Sequence, residues 1–144
     1  MSGPFDRDEI AAFLDDAVIP LRLACVAPSG WPLIVSLWFV RRGDELVCAT
    51  QASSSLVRAL EHELQCAFEV AGQEPPYRGV RGRARVTIEP DDGLATLSEL
   101  LTRYLGGTDG AFARRLLGRT APEVVLRLDP LEVSSWDYAR RMTS

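Results

Sequence analysis

The chain has 144 residues, 47% of them hydrophobic and 25% charged, which is the mix of a folded globular protein and excludes a disordered tail. That length supports one domain, 1–144, with a core of its own, and is too short for two comfortable ones. A net charge of −4 argues against a general nucleic-acid or anionic-membrane surface. No apolar run approaches the roughly 18 residues of a membrane span and the N-terminus has no apolar leader, so a cytoplasmic protein is the expectation.

The first predicted element is a helix entered through Phe5-Asp6-Arg7-Asp8-Glu9-Ile10. Asp6 serves as N-cap, Glu9 closes a capping box and Phe5 staples onto Ile10. Ile10, Phe13, Leu14 and Ala17 share its apolar face, and Pro20 ends it; it is expected to pack as a lid. Leu21 to Val26 reads as a strand, Pro28-Ser29-Gly30 as a turn, and Leu33 to Val40 as a second strand. With Ser36 as its one polar member, that second strand is expected to be buried on both faces. Arg41 to Asp44 is a tight turn and Glu45 to Thr50 the return strand. Ser53, Ser54 and Ser55 then stand at a helix start, where unpaired N–H groups and the helix dipole favour an anion.

Leu56, Val57, Leu60 and Leu64 form the apolar side of the helix that follows, with Arg58 on its first turns. His62, between Glu61 and Glu63, faces solvent and has no partner ligands at metal-binding spacing. Gln65 to Val70 is a strand and Gly72 to Pro76 a loop. Tyr77 to Glu89 alternates, with Arg78, Val80, Gly82, Ala84, Val86 and Ile88 on one side and Tyr77, Arg81, Arg83 and Arg85 on the other. The arginine side is either a solvated outer face or a rim beside an anionic ligand. Gly79 and Gly82 mark close approach of a ligand or another backbone. Helices over Asp91 to Leu105 and Asp109 to Leu117 precede a last strand, Glu123 to Leu128, and a tail from Val133 to Met142 carrying Trp136 and Tyr138. Some six short strands with helices near the ends predict a closed antiparallel barrel. Cys25, Cys48 and Cys66 are odd in number, lie in apolar runs and lack C-x-x-C spacing, which predicts buried, unreactive free thiols.

The order of these pieces resembles the pyridoxamine-phosphate-oxidase-like flavin-binding split barrels. The resemblance rests on Leu23-Ala24-Cys25-Val26 with Pro28-Ser29-Gly30-Trp31-Pro32, on Leu37-Trp38-Phe39, and on Ala49-Thr50 with Ser54 to Leu60. It extends to Pro75-Pro76-Tyr77-Arg78-Gly79-Val80-Arg81-Gly82-Arg83-Ala84 and Ser135-Trp136-Asp137-Tyr138. It implies a mostly β, Greek-key-like split barrel with several short helices, and a homodimer with two cofactor sites at the subunit interface, each using parts of both chains. Ser36, Leu37 and Trp38 would lie along the flavin ring, and Ala49, Thr50, Ser54, Ser55, Leu56 and Arg58 would surround the ribityl phosphate. Tyr77 and Arg78 would reach in from the partner.

The chain departs from the family at one place: where a lysine or arginine commonly follows the serine of the phosphate turn, it carries Ser55 and Leu56. Losing a charged hydrogen bond costs about 1.5–3 kcal/mol, roughly ten- to a hundredfold in affinity, unless Arg58 or Arg78 compensates. The implied activity is an FMN-dependent oxidoreductase acting on a small planar substrate. The alternatives are an enzyme of the deazaflavin coenzyme F420, its acidic tail lying along Arg81, Arg83 and Arg85, and a non-catalytic binder of flavin or haem. No metal site and no nucleic-acid partner are expected.

Overall fold

The structure is a computed structural model and describes residues 1–91, 94–119 and 122–142. Seven strands are found among the described residues: β1 (Leu21–Val26), β2 (Pro32–Leu37), β3 (Val40–Arg42), β4 (Glu45–Gln51), β5 (Gln65–Ala71), β6 (Arg78–Pro90) and β7 (Glu123–Asp137). They form one antiparallel sheet in the order β2-β1-β5-β6-β7-β4-β3. The helices are α1 (Arg7–Asp16), α2 (Ser55–His62), α3 (Ala95–Leu105), α4 (Ala111–Leu117) and α5 (Ala139–Met142).

The stretch expected to be a single doubly buried strand is two strands at opposite edges of this sheet. β2 ends at Leu37 and β3 begins at Val40, so only Trp38 and Phe39 separate the two edges, and the sheet must curl to bring them together. Among the described residues no ladder joins the edges, so the barrel is split where a closed one was expected. β2 is also half-exposed: Leu33, Val35 and Leu37 sit opposite Cys25, Leu23 and Leu21 on the inner face, while Pro32, Ile34 and Ser36 lie on the outer one. Burial of every β2 side chain would need a second layer over the outer face.

A backbone that leaves the ladder for two residues must find other partners for its polar groups. Tyr104 of α3 supplies them. Its hydroxyl accepts from the Phe39 N–H at 3.2 Å and donates to the Ile19 carbonyl at 2.8 Å. Its ring stacks on Trp38, centroids 5.0 Å apart and 8° from parallel, while the Phe39 side chain is fully buried in the barrel.

The strands are longer than expected. β6 and β7 run for 13 and 15 residues and form the spine of the sheet, so the tail from Val133 to Asp137 is the second half of a strand. Their pairing shifts at Arg83/Ala84, where Ala84 faces Pro130 and Leu131 is the extra residue; proline has no N–H for a ladder, and a bulge accommodates it. The alternation along β6 is as read for Val80, Ala84 and Val86, which are buried, and for Arg81, Arg83 and Arg85, which are exposed. Arg78, placed on the inner side, is exposed and pairs with Asp137 at 3.3 Å. The close approaches at the two glycines are made by the protein itself. A Cβ on Gly79 would stand 2.3 Å from the Trp136 ring, and one on Gly82 would stand 2.2 Å from the Glu132 carbonyl.

α1 has the predicted capping box, Asp6 and Glu9 each holding the other's backbone N–H at 2.8 Å, although the Phe5 ring lies against Phe13, at 5.9 Å. Ile10 and Leu14 of α1 and Leu56, Ala59 and Leu60 of α2 close the two ends of the core formed by Leu21, Leu23, Phe39, Val70, Leu126 and Leu128. Each fully buried leucine contributes about 1.5–3 kcal/mol relative to exposure. A second, smaller cluster joins Leu97 and Leu101 of α3 to Ala113 of α4, with Trp38 and Ala49 against it. The helix expected over Asp91 to Leu105 begins later, at Ala95, and the one expected over Asp109 to Leu117 begins at Ala111; residues 92 and 93 of the first reading lie outside the described residues.

Candidate functional site

At the split, where β2 leaves the sheet and β4 turns into α2, lies a cavity of about 310 Å³. Six of the sequence-predicted residues meet there: Ser36, Leu37 and Trp38 from the end of β2, Ala49 and Thr50 from β4, and Ser54. Ser54 is the N-cap of α2, its hydroxyl accepting from the Val57 N–H at 3.2 Å. The Ser36 hydroxyl accepts from Arg22 at 3.0 Å. The lining combines apolar side chains, an aromatic ring, hydroxyl-bearing residues and a helix start.

Five predicted residues do not line this cavity: Ser55, Leu56, Arg58, Tyr77 and Arg78. Leu56 is a core residue, 2% exposed, so the position where the family carries a cation is used for packing here. Ser55 and Arg58 lie on the exposed side of α2. Arg78 is engaged with Asp137, and the Tyr77 carbonyl accepts from the Tyr138 N–H at 2.9 Å.

The remaining wall comes from residues that the sequence reading missed: Gln51, Leu97 and Leu100, Leu116, Arg119 and Glu123. Gln51 and Glu123 are cross-strand partners on β4 and β7. Glu123 is only 8% exposed, and its Oε2 has no hydrogen-bond partner. Burial pushes its carboxyl above the usual range; the charge of Arg119 opposes that shift and Asp91 adds to it. Asp91 is itself buried but satisfied, accepting from the N–H groups of Thr96 and Leu97 at 3.1 Å each at the start of α3. The only signal in the chain for this group was an acidic residue opening a strand after proline, which reads as an ordinary strand end.

The arginine face of β6 is exposed on the outside of the chain. Arg81 lies 5.2 Å over the Trp136 ring, Arg83 pairs with Glu132, and neither these two nor Arg85 lines the cavity. Trp136 of the aromatic tail lies on that outer face too, under the Arg81 guanidinium. All three cysteines are free and buried. Burial pushes the Cys66 thiol up to about 12, with Cys25 adding to the shift, and raises Cys48 further still. His62 is exposed, and among the described residues no group of histidine, cysteine and acidic side chains is placed to hold a metal. No helix among them is long and apolar enough to cross a membrane.

The family model described as pyridoxamine 5'-phosphate oxidase matches residues 6–135. Among solved structures, a conserved hypothetical protein from Mycobacterium tuberculosis superposes with a TM-score of 0.79 at 20% identity, over 98% of this chain and 90% of that one. An F420 reductase superposes with a TM-score of 0.70 at 26% identity, over 84% and 93%. The haem storage protein HutZ from Vibrio cholerae does so with 0.63 at 20% identity, over 86% and 89%. No curated protein matches.

Proposed function

The chain belongs to the pyridoxamine 5'-phosphate-oxidase-like family of flavin-binding split barrels, and on that premise we propose that it is a flavin-nucleotide-dependent oxidoreductase with FMN as cofactor and a small planar substrate. The observation that carries the reading is the meeting of Leu37, Trp38 and Ala49 with Thr50 and Ser54 in one cavity. When bound, the flavin supplies the hydride or electron transfer. The chain's own residues bind and orient. Trp38, held flat by its stacking on Tyr104, forms a preset wall for a ring, and the Ser54 and Thr50 hydroxyls with the α2 start receive the phosphate.

The site is proposed to be completed by a second copy of the chain. The chain exposes large apolar side chains away from the cavity, among them Trp31 (76% exposed), Ile34 (68%) and Leu131 (61%), which a homodimer would cover. Tyr77 and Arg78 are proposed to reach the partner's site from the start of β6. A second reading, a reductase using coenzyme F420, is favoured by the name and 26% identity of one structural neighbour.

The test is the absorption spectrum of freshly purified protein, followed by titration with FMN and with F420. A flavin spectrum or tight FMN binding supports the first reading, and tight binding of F420 alone replaces it with the second. Failure to bind either overturns both.

A further inference from the structure

We propose that Arg119 and Glu123 form the charged end of this cavity and select its ligand: Arg119 pairs with the phosphate of a phosphomonoester, and Glu123 engages the hydroxyl beside that phosphate. The proposal rests on the flavin-site reading and deepens it, since it names the part of the ligand that this chain reads and the residues that read it.

Arg119 is the one cation among the described residues that line the cavity, and it reaches the same space as Thr50 and Ser54. The positions after the N-cap serine cannot do this work: Ser55 is neutral and Leu56 is packed in the core. Neither Arg58 nor Arg78 of the same chain lines the cavity. A phosphate resting on the α2 start therefore finds its arginine on the connection between α4 and β7, some 60 residues further along the chain than the position the family pattern indicates. A guanidinium suits that task, because its planar set of donors matches phosphate oxygens.

Glu123 gives the site its selectivity. It is more than nine-tenths buried, borders the cavity directly across the ladder from Gln51, and has a carboxyl oxygen with no donor. A buried polar group left without a partner is costly, and a ligand that supplies one removes the cost. The matching ligand group is a hydroxyl. A second phosphate or a carboxylate near Glu123 would set like charges together in a poorly hydrated place. The cavity is thus matched to a phosphate monoester on a hydroxylated chain, as FMN has, and set against a diphosphate such as FAD or a polyacidic tail such as that of F420.

The experiment compares FMN, riboflavin and FAD binding by the wild-type protein, Arg119→Ala, Arg119→Lys and Glu123→Gln, each confirmed folded by circular dichroism. Wild type should bind FMN more tightly than riboflavin or FAD. Arg119→Ala should lower FMN affinity roughly 10- to 100-fold and leave riboflavin affinity unchanged, a loss that Arg119→Lys partly restores. Glu123→Gln should narrow the preference for FMN over FAD. An unchanged FMN-to-riboflavin ratio in Arg119→Ala overturns the assignment of Arg119, and an unchanged FMN-to-FAD ratio in Glu123→Gln overturns that of Glu123.

If no flavin binds, the flavin reading falls, and glycerol 3-phosphate decides this proposal separately. It should shift the backbone amide resonances of Thr50, Ser54 and Arg119 in the wild-type protein and not in Arg119→Ala, and it should do so more strongly than pyrophosphate. Absence of those shifts overturns it.

Discussion

A carboxyl as deeply buried as that of Glu123, with one oxygen lacking a donor, costs the native fold free energy whenever it ionises. Because burial raises its folded pKa above the unfolded value, its contribution is fully present below the ordinary glutamate range and is lost as pH rises through the folded value. Glu123→Gln should therefore stabilise the ligand-free protein at pH 7 by up to about 1–3 kcal/mol, with the difference vanishing near pH 4; thermal melts at the two pH values check it. Leu56 has the opposite character. A lysine there would strand an ammonium in the core, so Leu56→Lys should fail to fold, and Leu56→Ala should cost about 2–5 kcal/mol in denaturant melts. Restoring the family's cation at this position cannot strengthen the site. The three thiols, buried and raised, should react with a thiol reagent only on unfolding, and rapid native labelling of Cys48 would contradict its placement.

α3 holds together parts of the chain that share no ladder. Its Arg103 donates to the Leu14, Asp15 and Ala17 carbonyls at 2.9–3.0 Å, closing the C-terminal end of α1, and lies 5.1 Å over the Phe39 ring. Its Tyr104 satisfies the backbone where β2 passes into β3. Deleting that hydroxyl leaves two backbone groups short of partners, so Tyr104→Phe should destabilise by about 1–3 kcal/mol. Amide exchange at Phe39 should quicken more than exchange in β6 or β7. Equal protection changes across the sheet would show that the hydroxyl is not specific to the crossover. The same substitution leaves the ring stacked on Trp38, which separates the effect on the crossover from any effect on the wall of the cavity.

For the whole molecule, the outer sheet face is the decisive surface. Ile34 lies beside Ala24 in a hollow of about 470 Å³ that also holds Arg22, Glu69 and Arg81, so its apolar part is bordered by charges of both signs. A face of that kind suits pairing with a second copy, and light scattering at micromolar concentration should give about twice the 15.8 kDa chain mass. Ile34→Glu should shift it toward monomer and weaken cofactor binding together. A wild-type monomer would remove both the dimer and the shared site.

The sequence by itself determined those features that local chemistry sets: the capping box of α1, a serine at the start of α2, the two-faced alternation of β6 and the burial of the cysteines, while the hydroxyl-and-aromatic half of the cavity was implied by the family resemblance. Each local feature depends on residues a few positions apart, within reach of turn chemistry or of strand and helix periods. Only the tertiary structure decided the rest. An apolar run from Leu33 to Val40 looks the same whether it stays in one strand or crosses from one sheet edge to the other, because the crossover depends on Tyr104, 65 residues away from Phe39. Leu56 was placed by a family pattern at a phosphate and by packing in the core. Arg119 and Glu123 came to the cavity through the pairing of β7 with β4, a contact between distant segments that no spacing along the chain records.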